Sequence, residues 1–508
     1  MAWKSPALLL VAGLLGLAVA CLLHINRLLR HVPAQARELS GTRWRADELR
    51  ALYHALAKKP IDYTEKLPPK LDRRYIVTGG NGLVGGFIVL QLLARGTPPS
   101  HIRILDLRKT ERGDMINGPA AQVDFIPVDI RSAGAVSLAF SKSWPASASH
   151  LPLTVFHTAA IIIPSERHKH TYTLPESVNV QGTRNVLAAS HAAGASVFSA
   201  TSSAAISIVP VDLRVPFWAE SAKNACQVLD ERDFDAPLRS DDGYYSNYAR
   251  SKAIAERVVC GANQDDFRTG CIRPGIGVYG NPTDNTVGGP LSQNVQPTMI
   301  PHVVQNFVHA ANVAVAHLHQ ESVLLSQAHV KDIPQAGRPF AVTDPNPAIA
   351  YVDIYTAISA LSIYPFRAQI LPPAPLFIFS HLVEWYTLLR HHVPSLQKTL
   401  PPVAGVVSYL QPAIFSICTH LLVSDVAARK PVAKGGLGYE GVLTTEQGIV
   451  SEILEWNREQ RAHAASLGVN GSAKVELKKA YTTSNSLADH IRALADVGNV
   501  SDVNGKLK

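Results

Sequence analysis

Tyr248 and Lys252 stand one helical turn apart in the run Tyr248-Ala249-Arg250-Ser251-Lys252, and the following Ala253, Ile254, Ala255 and Glu256 favour helix. Residues at i and i+4 share a helix face. An ammonium beside a phenol stabilises the phenolate and lowers a pKa that is otherwise near ~10. Such a phenol can exchange a proton with a substrate hydroxyl or carbonyl near neutral pH. A lone Tyr-x-x-x-Lys is common by chance as a surface pair, and Tyr244 and Tyr245 show that tyrosines cluster here anyway. The strand-like run Ser196–Ala200 leading into Thr201-Ser202-Ser203 adds weight. A hydroxyl at a strand end can orient a substrate oxygen. Serines there are also ordinary turn residues, so one of Ser202 and Ser203 is expected to serve the turn and the other the chemistry.

These groups need a redox partner, and the sequence supplies a place for one. The apolar run Arg74–Thr78 reads as a buried strand, and Gly79-Gly80-Asn81-Gly82-Leu83-Val84-Gly85 follows directly. Phe87, Ile88, Leu90 and Leu93 then suggest a helix. Glycines at 79, 82 and 85 suit a strand-to-helix turn where backbone approaches a pyrophosphate and the helix N-terminus binds it. A second strand, His101–Leu105, ends at Asp106, where a dinucleotide fold places the carboxylate for an adenosine ribose. Asp106 favours NAD over NADP because it repels a 2′-phosphate. Arg108 softens that preference, so NADP stays open. A third strand, Val123–Val128, ends at Asp129, a candidate for the adenine edge. A fourth, Thr154–His157, runs into Thr158-Ala159-Ala160, where small side chains let backbone pack against the cofactor.

The chain has 508 residues, 46% hydrophobic and 17% charged, with a net charge of +8. That composition excludes disorder as the main state. The basic residues are scattered without interleaved aromatics, so no nucleic-acid partner is expected. Cys21, Cys226, Cys260, Cys271 and Cys418 show neither Cys-x-x-Cys nor zinc spacing. Free thiols and no metal are expected, in keeping with a cytosol-facing domain. His168 and His170, interleaved with Arg167 and Lys169, read as a solvated loop.

Pro6–Ile25 carries no fixed charge and is long enough to span a bilayer. Apolar residues continue beyond Ala18 and Ala20, which favours an uncleaved anchor over a signal peptide. Arg27, Arg30 and Arg37 after the span, against Lys4 before it, place the bulk of the chain in the cytosol. Residues 40–73 read as a polar connector with a short amphipathic helix around Ala46–Lys58.

In these residues the chain resembles the extended short-chain dehydrogenase/reductase superfamily, and within it the 3β-hydroxysteroid dehydrogenase branch that includes sterol-4α-carboxylate 3-dehydrogenases. The matching motifs are Thr78–Gly85, Ile104–Arg108, His157–Ala160, Asn179–Leu187, Thr201-Ser202-Ser203, Tyr248-x-x-x-Lys252, Arg273-Pro274 with Val278-Tyr279-Gly280, Asn306–Ala314, Leu437-Gly438-Tyr439 and Glu455-Trp456. They occur in family order over roughly 74–460.

The resemblance implies Ser203, Tyr248 and Lys252 as the catalytic groups. It implies a cofactor site formed by Gly79, Gly82, Leu83, Val84, Gly85, Asp106, Asp129, Ala159, Lys252 and Pro274, with Asn179 bracing the fold beside it. The implied substrate is an apolar sterol or triterpenoid. The implied activity is oxidation of its 3β-hydroxyl, with decarboxylation where a carboxyl sits at C4. A dehydrogenase/isomerase, a nucleotide-sugar epimerase and a non-catalytic nucleotide-binding subunit are the rivals. The implied setting is a single-pass protein of the endoplasmic reticulum membrane, as a homodimer or with other sterol-pathway enzymes.

The expected architecture is α/β: a doubly wound, parallel Rossmann sheet, a smaller C-terminal substrate lobe and an N-terminal transmembrane helix. The divisions are an anchor (1–30), a linker (31–73), the NAD(P)-binding domain (74–280), the lobe (281–460) and a polar tail (461–508). Pro282–Pro301 departs from the family as a substrate-side loop. The apolar insertion at about 365–423 is expected to dip helices into one leaflet, with a buried helical subdomain as the close alternative.

Overall fold

The computed structural model describes residues 6–325, 332–467, 479 and 481. Seven parallel strands form the main sheet. In chain order they are β1 (Arg74–Thr78), β2 (Ile102–Asp106), β3 (Asp124–Pro127), β4 (Leu153–His157), β5 (Ala195–Thr201), then, after a β6 (Cys226–Leu229) that lies elsewhere, β7 (Arg268–Pro274) and the edge strand Pro339–Val342. Their spatial order is β3-β2-β1-β4-β5-β7 and the edge strand. The order reverses between β1 and β4, and the crevice at such a switch point is where α/β sheets bind ligands. β4 is buried along its whole length, and β1, β2, β5 and β7 are nearly so, as strands covered on both faces must be.

One face packs Val136, Phe140, Val186, Leu187 and Val259 against Ile76, Val155 and Phe198. The other packs Phe87, Ile88 and Leu92, with Ala310, Ala314 and Leu318, against Tyr75, Val77, Ile104 and Phe156. The helix Ala310–Leu324 and the edge strand fall in the range expected for the lobe, yet they close the flank and edge of this sheet. The sheet's second face would otherwise be bare beyond the helix Leu83–Ala94. Gln91 Nε2 donates to the Ala311 carbonyl (2.9 Å), and Arg95 Nη2 pairs with the buried Glu321 (3.0 Å), joining the two helices.

A second sheet orders Ile349–Ala350, Val304–Gln305, His420–Val423 and β6. The Pro282–Pro301 segment is ordered, with a short helix at Gly288–Leu291 and a strand, Val295–Thr298, paired to Arg367–Ile370. Of residues 31–73, expected as a linker, the stretch to Lys58 binds along this lobe, while Ile61, Tyr63, Leu67 and Arg73 pack on the main sheet. Gly41 N donates to Ala348 O, Arg43 pairs with Asp353 (2.6 Å), and the helix Ala46–Lys58 buries Leu49 against Ile453, Trp456 and Ile354. The apolar stripe of that helix needs cover, and the C-terminal helix Thr445–Ser466 provides it.

Among the described residues one helix, Pro6–Arg30, begins a segment long and apolar enough to cross a membrane. The apolar insertion contains the helix Pro373–His392, which buries Ala374, Ser380 and Val383 and leaves Ile378, Phe379, Leu382 and Trp385 exposed. A wholly buried subdomain is therefore not what forms. The five cysteines are free, with the sulfurs of Cys260 and Cys271 3.8 Å apart. Most of the expected tail lies outside the described residues.

Candidate active site

Gly79 adopts φ +70°, and a Cβ there would lie 2.7 Å from Ala159 N, so the turn after β4 rests directly on the glycine turn after β1. A Cβ on Gly85 would run into the Gly79 carbonyl. The helix that starts at Leu83 has no capping side chain at Gly82 and no acidic residue in its first turn. Its leading N–H groups and positive dipole end are thus left for an anion. Leu83, Val84 and Gly85 all lie in that turn.

Asp106 closes β2. Its carboxylate accepts from Asn81 N (3.0 Å) and Leu107 N (2.7 Å), and burial raises its pKa while those two N–H groups oppose the rise. Asp129, beyond β3, is held by Arg131 through contacts of 2.7 to 3.0 Å and by its backbone N–H. The carboxylate is thereby engaged within its own turn. Burial pushes His157 down to about 3, so the imidazole is neutral and bridges Thr78 Oγ1 (2.6 Å) and Thr183 Oγ1 (2.9 Å).

The helix that carries Tyr248 and Lys252, Asn247–Gly261, starts at Ser246, whose Oγ accepts from Ala249 N (3.2 Å). It carries Tyr248, Lys252 and Glu256 on one face. The Tyr248 phenol is buried, which raises its pKa, and a hydrogen bond with Ser203 opposes the rise. Ser203 also accepts from Ala205 N (3.2 Å). Burial pushes Lys252 down to about 8 against the opposing influence of Cys271 and Glu256. Its Nζ donates to Thr201 O (2.6 Å). Sequence reasoning had Lys252 drawing the Tyr248 phenol down. Here the group that does so is Ser203, because the ammonium is directed at the end of β5.

Ser202 separates cleanly from Ser203. Its Oγ donates to Glu256 Oε2 (2.6 Å), and Glu256 is paired with Arg273 (2.6 and 2.8 Å), both fully buried. Arg273 also reaches Asp233 Oδ1 (2.6 Å) and Asp230 O (3.0 Å). This network was not foreseen, although Glu256, one turn beyond Lys252, was the available signal. Pro274 ends β7 beside it, in register with Val342. Asn179 clamps Ile161 by both its N–H and carbonyl (2.9 and 3.0 Å) and donates to Ser251 Oγ (2.9 Å). It does so from a π-helical turn, Glu176–Gly182, a feature that recurs at functional sites. His168 and His170 lie beside His391 and His392, with the rings of His170 and His392 4.4 Å apart.

A parallel sheet with a glycine turn at its switch point, an acidic residue closing β2, and a Ser-Tyr-Lys set one strand away define an extended short-chain oxidoreductase that uses NAD(P). More particularly, the chain belongs to the 3-beta hydroxysteroid dehydrogenase/isomerase family, which it matches over residues 76–365. It is 24% identical to short-chain dehydrogenase/reductase family 42E member 1 of Xenopus laevis, over 64% of this chain and 77% of that one. It is 26% identical to the 3 beta-hydroxysteroid dehydrogenase/Delta 5-->4-isomerase of Mycobacterium tuberculosis, over 74% and 88%. To the human sterol-4-alpha-carboxylate 3-dehydrogenase, decarboxylating, it is 28% identical over 56% and 65%. Among solved structures, the Thermus thermophilus UDP-glucose 4-epimerase complex with NAD aligns with a TM-score of 0.47 at 20% identity, covering 75% of this chain and 98% of that one.

Proposed function

We propose that this enzyme oxidises a 3β-hydroxyl of a sterol or triterpenoid with NAD, and that CO2 is lost when the neighbouring C4 bears a carboxyl. The observation that carries the reading is the hydrogen-bonded Ser203–Tyr248 pair, set against Ile206, Ile276 and Leu421 with the Tyr244 and Tyr245 rings in the same cluster. A hydroxyl pair against a largely hydrocarbon cluster suits a ligand with one oxygen to grip and a large hydrocarbon body to bury.

Ser203 holds the substrate oxygen, and Tyr248 accepts its proton as the carbonyl forms. The Ser203 hydrogen bond favours the phenolate form of Tyr248, and Lys252, whose Nζ donates to Thr201 O at the end of β5, is placed to hold the nicotinamide ribose. NAD held in this site would supply the hydride acceptor. The residues that would hold it are Gly79, Gly82, Leu83, Val84 and Gly85 at the phosphates, Asp106 at the ribose, Asp129 at the adenine, and Ala159, Lys252 and Pro274 nearer the nicotinamide. A carboxyl β to the new ketone needs no further catalytic group to leave as CO2. The setting proposed is a single-pass anchor in the endoplasmic reticulum, with the catalytic body in the cytosol. A dehydrogenase that also shifts a ring double bond is the second reading, favoured by the likeness to the mycobacterial 3 beta-hydroxysteroid dehydrogenase/Delta 5-->4-isomerase.

The test is NADH and CO2 formation by full-length, detergent-solubilised enzyme with a 4-carboxy-3β-hydroxysterol. Tyr248→Phe is expected to lower kcat by about 10²–10⁴-fold, the usual worth of a positioned acid/base, with NAD still bound. NADH without CO2 would indicate a plain dehydrogenase. No NADH from this or a simple 3β-hydroxysteroid would overturn the sterol assignment.

A further inference from the structure

We propose that the surface helix Pro373–His392, the Phe217–Trp218 turn and the last turns of the anchor helix form one surface immersed at the interface of a lipid leaflet, and that a lipid-dissolved substrate passes from it to Tyr248. The second half rests on the dehydrogenase reading above; the first half does not.

The anchor is docked, not tethered. Leu28 is buried among Leu213, Val215, Ala222 and Ala225. Arg27 Nη2 donates to Phe217 O (2.6 Å) and Ala219 O (2.8 Å), and the His24 ring lies 4.8 Å from Phe217. His302 Nε2 bonds Leu29 O (3.0 Å), and His420 Nε2 bonds His31 O (3.1 Å). The body therefore has a fixed orientation to the axis of the anchor.

That orientation sets a depth. Leu8–Ala20 is bare and spans about 20 Å at 1.5 Å per residue. A hydrocarbon core of about 30 Å needs more than this. The apolar run continues to Ile25, so residues 21–25 must also enter the lipid, adding about 7 Å. Cys21, Leu22, His24 and Ile25 are half-buried on the side that the body touches, while Leu23 faces away and is 66% exposed. The rim of the body beside them is then drawn in to the depth of about 5–10 Å at which interfacial helices lie.

The rim has the chemistry for that place. The surface helix packs on the anchor helix and turns outward Leu382 (57% exposed) and Trp385 (62%), with Ile378 and Phe379 beside them. Trp218 is 83% exposed on the turn that grips Arg27. Tryptophans are favoured at the headgroup level, and a connected apolar patch is unusual on a surface meant for water.

The same helix borders the active site. Phe377 meets Phe415 at 5.0 Å between ring centroids. Phe415 shares a short helix with Ile417, and Ile417 packs against the cluster that holds Tyr245 and Tyr248. On its other side Glu384 pairs with Arg167 (2.8 and 2.9 Å). The adjoining Glu166 carbonyl accepts from Asn247 N (2.7 Å) at the head of the catalytic helix. An apolar seam thus runs from the lipid-facing helix to the catalytic phenol.

The experiment places full-length protein in phosphatidylcholine liposomes with or without dibromo-acyl chains. The Trp385 emission is isolated as wild type minus Trp385→Phe. At least twofold quenching of that component by the shallow dibromo lipid is the expected result. An unquenched component overturns the proposal, as does a dimer in which Leu382→Asp separates two copies, since the patch would then belong to a second copy. For delivery, Leu382→Asp with Trp385→Ser is expected to raise KM for vesicle-borne sterol at least tenfold with kcat retained; an unmoved KM removes that half. If wild type turns over no sterol, the dehydrogenase reading has failed, and the quenching still decides the membrane surface.

Discussion

Lys252 is a cation that the fold makes easy to discharge. Burial lowers its pKa to about 8 from a usual value near 10.5. Between those values the unfolded chain binds a proton that the folded one does not, so this residue makes stability rise with pH from about 8 to 10.5. Thermal unfolding of cofactor-free protein is expected to show that rise, and Lys252→Met to flatten it; equal slopes in both would disprove the assignment. Glu256 presents the opposite case, a carboxylate fully buried against Arg273. Glu256→Gln leaves the buried Arg273 guanidinium with Asp233 as its remaining carboxylate, so the cost is expected below the ~3–5 kcal/mol of a fully broken buried pair and is readable as a lower urea midpoint. At this scale the sequence disclosed residue types better than partners. The Tyr248–Lys252 spacing and the Gly79–Gly85 turn were legible because local backbone geometry fixes them. Which serine faces Tyr248, where the Lys252 ammonium points and that Arg131 occupies Asp129 depend on contacts that no spacing rule specifies.

The helix Ala46–Lys58 shows how an element can be legible without its docking site. Its apolar stripe predicts the bounds that form, while its partners lie some 300 to 400 positions away in Ile354, Ile453 and Trp456. Leu49 is fully buried there, and Leu49→Ala is expected to cost about 2–5 kcal/mol; differential scanning calorimetry reads this as a lower Tm, and an unchanged Tm would mean the helix is dispensable to the lobe. The strands β1, β2, β4 and β5 were foreseen to within a residue or so because buried parallel strands are short continuous apolar runs. The helix Ala310–Leu324 falls with the lobe in the sequence because Asn306–Ala314 resembles the family's substrate-domain strand and the helix after it. Only the strand order shows that the sheet needed it.

For the molecule as a whole, the apolar helix Pro6–Arg30 and the folded body are one assembly. Full-length protein in native membranes is expected to stay with the pellet through alkaline carbonate and to leave it only with detergent; release by carbonate would mean the helix Pro6–Arg30 does not span. The apolar insertion could be recognised in the sequence as unusual, but its outward face could not, since a helix apolar on most sides reads alike whether lipid or protein covers it.

The docking of the N-terminal segments also bears on how the chain is made. The N-terminal helix Pro6–Arg30 and the helix Ala46–Lys58 leave the ribosome well before their seats at Ala348, Asp353, His420 and the helix Thr445–Ser466. The hydrophobic stripe around Leu49 must therefore wait, uncovered, while about 400 residues are synthesised. A ribosome stalled before residue 445 would present a finished dinucleotide half with that stripe unshielded, a ready target for chaperones, until the helix Thr445–Ser466 is complete and covers it.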